Sequence, residues 1–236
     1  ADDNTYIGVQ AGASNSGGQN SLIGYFSGLS NSGDQNNIFG HYTGEVNTGS
    51  YNNLIGSSAG RQNTGSFNNF LGQNAGYVNT GNYNEYIGYQ AGRYLRSSST
   101  VALGGEALYG PGYNYTALNN TAIGYRAGYG SADGANNNLL LGYQAADSLT
   151  TGANNIIIGY DVEAPSNTAD GQLNIGNLLF GTGIDGTGTT LSSGNIGIGT
   201  TSPTSKLTVA QSADSNGIRI QGFDDRDSDF GNLSVG

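Results

Sequence analysis

The residues best suited to hold a metal ion form one acidic segment near the C-terminus, DDRDSD (224–229). It carries its carboxylates at Asp224, Asp225, Asp227 and Asp229. Carboxylate oxygens are preferred ligands of Ca²⁺, but the segment lacks the central glycine and the distal glutamate of an EF-hand loop. A weak calcium site and a solvated acidic tail are the two interpretations, and the sequence favours the tail.

The chain contains few residues that could support catalysis. His41 is the single histidine of the chain, and the chain has no cysteine. Without a second histidine or any cysteine, we expect neither a catalytic triad nor a transition-metal site. The string GTGIDG (181–186) has the glycine spacing of a dinucleotide loop, which requires a helix after it. The residues that follow, TGTTLSSGN, are not a helix-forming sequence. We therefore expect no enzyme activity and no cofactor.

Tyrosines are the best candidates for binding a ligand. Five of them follow a recurring glycine directly: Tyr25, Tyr89, Tyr125, Tyr143 and Tyr160. A tyrosine ring is a flat, amphipathic platform on which a sugar ring can stack. The alternative is that these rings only pack on one another, and the sequence favours that packing. His41 occupies the same position in its own repeat, where a bland surface role is expected.

The element that positions these residues is a repeat of 16 residues. Its clearest mark is a glycine preceded by two apolar residues, at Gly8, Gly24, Gly40, Gly56, Gly72 and Gly88. Less regular copies end at Gly104, Gly124, Gly142 and Gly159. Two further registers, at Gly181 and Gly199, would bring the total to twelve. A short fixed period predicts coils stacked on one another.

Each repeat reads as a short strand followed by turns. The two apolar residues before each repeat glycine must face opposite ways on a strand, so one column faces the core and the other faces outward. An outer apolar column needs a partner to cover it, which predicts a homotrimer. An asparagine lies four residues before each repeat glycine except Gly104, where the residue is Thr100, and this column forms either a structural ladder or a polar binding stripe. The NSG and NTG triplets are expected to be turns.

The sequence thus predicts an all-β fold, a parallel β-roll or β-solenoid of about twelve short coils. We expect regular repeats in residues 1–93 and irregular repeats with loop insertions in 94–199. Residues 200–236 are expected to form an extended linker or stalk. The insertions, 109–118, 164–173 and 182–193, are rich in turn-forming residues and are expected to be loops on one rim.

Composition excludes several classes of partner. The net charge is −10 with only seven scattered basic residues, so no basic stripe exists to bind nucleic acid. No apolar run approaches the ~20 residues that span a membrane. Charged residues are only 10% of the chain, which leaves a neutral polar surface suited to glycans.

Two segments resemble known families. NNTAIGYRAGY (119–129), NNLLLGYQA (137–145) and NEYIGYQAG (84–92) are similar to head repeats of trimeric autotransporter adhesins and to repeats of phage tail fibres. That resemblance implies three chains wound side by side. GNIGIGTTSPTSKLTV (194–209) is similar to the segment that precedes the trimerisation chaperone of endosialidase-type tail spikes. It implies that a chaperone domain, cleaved or omitted, would follow.

Together these observations predict a structural and adhesive fibre protein, extracellular on a virion tail or a cell surface. Its expected partners are other copies of itself and a host or surface glycan or receptor. A phage tail fibre is the favoured version, and a bacterial cell-surface adhesin is the alternative. An ice-binding solenoid is a further alternative, although its single Ser/Thr column (Ser16, Ser32, Thr48, Thr64, Thr80) is expected to lie in a turn. A depolymerase would need a carboxylate pair, and the sequence singles out none.

Overall fold

A computed structural model describes residues 3–112 and 115–210, and throughout these ranges the regular secondary structure is β-strand without any helix. The strands are β1 (Thr5–Ile7), β2 (Ser21–Ile23), β3 (Ser30–Asn31), β4 (Asn37–Phe39), β5 (Val46–Asn47), β6 (Asn53–Ile55), β7 (Gln62–Asn63), β8 (Asn69–Leu71), β9 (Val78–Asn79), β10 (Glu85–Ile87), β11 (Val101–Leu103), β12 (Thr121–Ile123), β13 (Leu139–Leu141), β14 (Ile156–Ile158), β15 (Leu173–Ile175), β16 (Leu179–Gly181), β17 (Ile196–Ile198) and β18 (Leu207–Val209).

Eleven strands, one from each coil, form a continuous parallel sheet in the order β1, β2, β4, β6, β8 and β10 to β15. The register follows the repeat, so that Leu54 lies beside Ile38 below it and Phe70 above it. Parallel strands normally require a long crossover. Here the rest of each coil supplies it, so the predicted parallel β-solenoid is confirmed.

A second parallel sheet, β3-β5-β7-β9, occupies the place where the NSG and NTG triplets were expected to turn. Its asparagines point inward, and Asn47 and Asn63 are fully buried. The triplet glycines are needed for close approach: a Cβ at Gly49 would lie 1.8 Å from the carbonyl oxygen of Gly65. The turn interpretation is wrong for these asparagines, which end the strands of the second sheet, and the triplet glycines lack the positive φ that such turns would require.

From the second coil onward the core contains the apolar residue two places before each repeat glycine, whereas Tyr6 in the first coil is exposed. In successive regular coils these are Leu22, Ile38, Leu54, Phe70 and Tyr86, all essentially fully buried. Small residues three places after the glycine, such as Ala59 and Ala75, are also fully buried and face them across the narrow coil. The alternating period of a strand then turns the neighbouring apolar column outward.

The irregular coils are wider, and their core changes accordingly. The core position is reduced to alanine at Ala102 and Ala122, both fully buried. The space is filled by Leu95, Leu108 and Tyr115, and the Tyr115 hydroxyl donates to the Leu108 carbonyl at 2.6 Å. Tyr115, which belongs to the 109–118 insertion, therefore contributes to packing.

The stack ends differently from the sequence expectation. The eleventh coil is formed by β15 and ends at Gly176. Its strand begins at the last residue of the segment expected to be a loop (164–173) and extends beyond that segment. The Gly181 register is no coil, because β16 runs antiparallel to both β15 and β17. Beyond it, β18 pairs in parallel with β17 and lies within the described part of the expected C-terminal segment, residues 200–210.

Candidate functional site

The repeat glycines occupy a position that favours glycine for two reasons. The ten of them from Gly8 to Gly159 have φ between 129° and 145°, which L-residues rarely adopt. A Cβ at Gly56 would also lie 2.6 Å from the carbonyl oxygen of Gly72 in the next coil. The ten glycines form one column along the axis, and their role there is to let neighbouring coils approach.

The asparagine column before each strand is buried and hydrogen-bonded between coils. The side-chain oxygen of Asn52 accepts from the backbone N–H of Asn68 at 2.9 Å, and its amide donates to the Gly65 carbonyl at 2.9 Å. The same pair of contacts recurs in the neighbouring regular coils. This column is a structural ladder with no surface available to a ligand.

The five candidate tyrosines are exposed and lie in one column along the axis, which we call the tyrosine column. The column consists of the residue directly after each repeat glycine, and other residue types occupy it in the remaining coils. Ring stacking is closest at its C-terminal end, where Tyr143 lies 5.5 Å from Tyr125 and 5.0 Å from Tyr160 between centroids. Near the other end Tyr25 stacks on His41 at 5.3 Å. Most of these rings therefore have a face covered by a neighbouring ring.

Tyr89 is the exception in the tyrosine column. Its neighbours in the same register are Gln73 below and Gly105 above, and it makes no ring contact with any described residue. Gly105 in turn lies directly below Tyr125. One ring is thus missing from the column between two exposed tyrosines, Tyr89 (49% exposed) and Tyr125 (42% exposed).

A second surface column, five residues after each repeat glycine, carries charge and was not singled out from the sequence. Arg61 forms an ion pair with Glu45 of the preceding coil and donates to the Tyr77 hydroxyl at 2.9 Å. Its hydrogen bond to Glu45 raises the pKa of Arg61. Arg93 lies between the rings of Tyr77 and Tyr109, 5.6 and 5.7 Å from their centroids. The sequence signal that could have revealed this column is the spacing of the opposite charges of Glu45 and Arg61 by one repeat.

Arg126 joins the two surface columns. Its Nε donates to Glu106 at 2.6 Å, and its guanidinium carbon lies 5.5 Å from the Tyr125 ring and 4.6 Å from the Tyr129 ring. The hydrogen bond to Glu106 raises the pKa of Arg126. Glu106 follows Gly105 directly, so this ion pair borders the gap in the tyrosine column.

The remaining sequence candidates show no assembled chemistry. His41 contacts only aromatic rings, and the described residues contain no group of three or more His, Asp or Glu able to hold a metal ion. The GTGIDG loop lines a shallow cleft of about 400 Å³. Its Asp185 accepts from the backbone N–H and the hydroxyl of Ser193, which lowers its pKa and fixes the loop. The acidic segment 224–229 lies outside the described residues.

One carboxyl group, that of Glu163, has a strongly raised pKa. Burial of Glu163, together with a hydrogen bond to Asp147, raises the pKa of Glu163 to about 7. The Glu163 carboxylate also accepts from the Ser148 N–H at 3.4 Å, and Asp147 accepts from the Gln144 amide at 3.0 Å. These contacts link two adjacent irregular coils.

The longest uninterrupted surface feature is apolar. The residue just before each repeat glycine, and Ile175 in the eleventh coil, points outward; we call this line the outer stripe. Its members are Ile7, Ile23, Phe39, Ile55, Leu71, Ile87, Leu103, Ile123, Leu141, Ile158 and Ile175. Leu71, for example, is 48% exposed, whereas its sequence neighbour Phe70 is 1% exposed.

These features define the class of protein: a parallel β-solenoid repeat protein. The chain matches no protein-family model, no curated protein and no solved structure. In the described residues no helix is long and apolar enough to traverse a lipid bilayer.

Proposed function

We propose that this chain is the shaft of a homotrimeric extracellular fibre, a structural and adhesive protein without enzymatic activity. The observation that carries the proposal is the outer stripe, to which each of the eleven coils contributes one large apolar residue; seven of these are exposed and four, Ile23, Phe39, Leu103 and Ile158, are half-buried. Monomeric soluble proteins rarely expose a contiguous apolar patch of this kind. Burial of the stripe against identical stripes is the simplest way to cover it.

The shape of the stripe favours parallel copies over a globular partner. Coils rise ~4.8 Å each, so eleven coils place the stripe along a line ~48 Å long. Parallel copies related by rotation about one axis would each present the same straight line at the same height. Three such lines meeting at an axis bury every member of the stripe without bending the solenoid.

The type of appendage follows from the sequence resemblances. The segment 194–209 is similar to the linker before the chaperone of tail spikes, which favours a phage tail fibre. A bacterial cell-surface adhesin of the trimeric β-roll type has the same architecture and is the alternative. In both cases the fibre carries a recognition surface for a host or surface glycan or receptor.

Light scattering with size-exclusion chromatography tests the assembly. We expect a mass near three times the 24.1 kDa of one chain. Leu71→Lys places a charge in the outer stripe and should lower that mass. Thr64→Lys, on the exposed edge of the second sheet, is the matched control and should not. A compact wild-type monomer at micromolar concentration would refute the proposal.

One observation supports ice binding as an alternative function. The Ser/Thr column is exposed and lies beside the second sheet, with Thr48 and Thr64 each donating its backbone N–H to the asparagine carbonyl of the next coil. The column is straight, in contrast to the expected turn. It holds only one hydroxyl per coil, and Arg96 ends it at the sixth coil. Thermal hysteresis, lost in Thr64→Lys, would favour this function over the fibre.

A further inference from the structure

We propose that the gap in the tyrosine column is a binding site for a neutral pyranose ring. We call this gap the notch: Tyr89 below, Gly105 at the floor, Tyr125 above, and the Glu106–Arg126 ion pair at the side. The inference rests on the proposed adhesive function, for which it supplies the chemical class of the ligand.

The spacing of the notch fits one ring. Tyr89 and Tyr125 belong to the sixth and eighth coils, and coils rise ~4.8 Å each, so their side chains start ~9.6 Å apart. A ring midway between them would lie ~4.8 Å from each, within the range of stacked ring pairs. The chain itself shows this geometry, because Tyr143 lies 5.5 Å from Tyr125 and 5.0 Å from Tyr160.

The floor of the notch is open because residue 105 has no side chain. A Cβ at Gly105 would meet its nearest atoms, Cδ2 of Tyr125 at 3.4 Å and Cε2 at 3.7 Å. One edge of the Tyr125 ring therefore borders the vacant position. The φ of Gly105 is not in the positive range that the repeat glycines adopt, so backbone geometry does not explain why this residue is glycine.

The side of the notch is polar, and this favours a sugar over an aromatic side chain. Among described residues, the ion pair is joined by a single hydrogen bond, Arg126 Nε to Glu106 Oε2. The second Glu106 oxygen and the Arg126 Nη groups have no hydrogen-bond partner among the described residues, and the Arg126 and Glu106 side chains are 36% and 17% exposed. An aromatic side chain would bury these groups without hydrogen bonds, at a cost in free energy. A pyranose offers apolar C–H faces to the rings and hydroxyls to the ion pair.

The ligand is expected to be neutral. Arg126 is already paired with Glu106, so the site has no net positive charge to select a carboxylate or sulfate. Binding should therefore depend little on ionic strength, unlike recognition of an acidic glycan.

The test fills the notch with the ring that the column lacks. Gly105→Tyr is expected to stack between Tyr89 and Tyr125, and this stacking offsets the cost of covering the ion pair, so the variant should keep its melting temperature while closing the site. The probes are methyl glycosides of glucose, galactose, mannose and N-acetylglucosamine, titrated by NMR up to about 10 mM, where a millimolar Kd is detectable. We expect at least one probe to bind the wild type and to bind Gly105→Tyr at least tenfold more weakly.

A matched control places the same ring elsewhere in the column. Gln73→Tyr adds a tyrosine below Tyr89 and leaves the notch open, so its affinity should equal that of the wild type. Binding of none of the four probes to the wild type, or equal binding to Gly105→Tyr, would overturn the notch proposal. Molar mass measured on the same samples distinguishes failure of the notch proposal from failure of the fibre proposal. A trimer that binds no probe contradicts the notch proposal and leaves the fibre proposal standing.

Discussion

The side-chain amide of Asn63 donates to the side-chain oxygen of Asn47 at 2.7 Å, although the two residues are 16 positions apart. The same Asn63 amide donates to the Gly65 carbonyl at 2.8 Å, and its oxygen accepts from Asn79 at 2.7 Å. Asn63 is fully buried, and its side-chain nitrogen and oxygen are both hydrogen-bonded, within its own coil and to the coils on either side. The ladder ends at Leu95, where the coils widen.

Asn63→Ala should destabilise the protein by about 3 kcal/mol, because it removes several buried hydrogen bonds and leaves their partners partly unsatisfied. Asn53→Ala is the matched control. Asn53 also donates to an asparagine one coil away, Asn69 at 2.7 Å, but both side chains are exposed. The control should cost less than about 0.5 kcal/mol in denaturant unfolding. Equal losses would show that burial does not set the strength of these ladders.

Gly56→Ala should destabilise by more than about 2 kcal/mol, since it combines a disfavoured φ with a backbone contact. The φ of Gly56 is 129°, and the added Cβ would lie 2.6 Å from the Gly72 oxygen. Gly56→Val should be worse still. Gly105→Ala is the control, because its Cβ would have no neighbour closer than 3.4 Å. Thermal melting that is unchanged in Gly56→Ala would contradict the role assigned to the repeat glycines.

Tyr86→Phe should stabilise the protein by about 1 kcal/mol. The Tyr86 hydroxyl is fully buried and has no hydrogen-bond partner among the described residues, and burial raises its pKa well above the usual value. The ring itself stacks on Phe70 at 4.8 Å, so phenylalanine already fits this column. Removal of an unsatisfied polar group from a core is favourable. The reverse change, Phe70→Tyr, should lower the melting temperature, and a lower value for Tyr86→Phe would reveal a partner for the hydroxyl.

Stability should fall as the pH rises from 4.5 to about 7, because the Glu163 carboxyl binds its proton more tightly in the folded chain than in the unfolded one. The contribution is fully present below the unfolded pKa and is lost through the folded pKa. Solvent screening of this half-exposed group limits the effect to about 1 kcal/mol. Glu163→Gln should flatten the melting temperature across this window, whereas Glu85→Gln on the regular coils should leave its slope unchanged.

The repeat predicted the parallel stack because one period fixes both the strand position and its register. It did not reveal the second sheet, since Asn47 and Asn63 are turn-forming residues by type, and only burial in the ladder makes them strand residues. The eleventh coil was missed for a related reason. Gln172 takes the place of the ladder asparagine there, and Asn174 takes the apolar core position, where its amide donates to the Glu163 carbonyl at 2.7 Å.

The surface was harder to predict than the stack. The tyrosine column was visible in the sequence, but the notch depends on the coil of Gly105 lying between those of Tyr89 and Tyr125, across unequal spacings of 16 and 20 residues. The Glu106–Arg126 pair spans the same irregular repeat. Neither relationship can be derived until the insertion at 109–118 has been assigned to one coil.

The direction of the inter-coil hydrogen bonds has a mechanical consequence. They run along the solenoid axis, so tension applied between the two ends of one chain loads the coils one after another, and each can detach before its neighbour. A detached coil of 16 residues would lengthen the chain by ~50 Å. Contacts along the outer stripe, in contrast, would be loaded in shear across all coils at once. A single solenoid should therefore extend in many small steps under force, and three joined along their stripes should resist as one rigid rod.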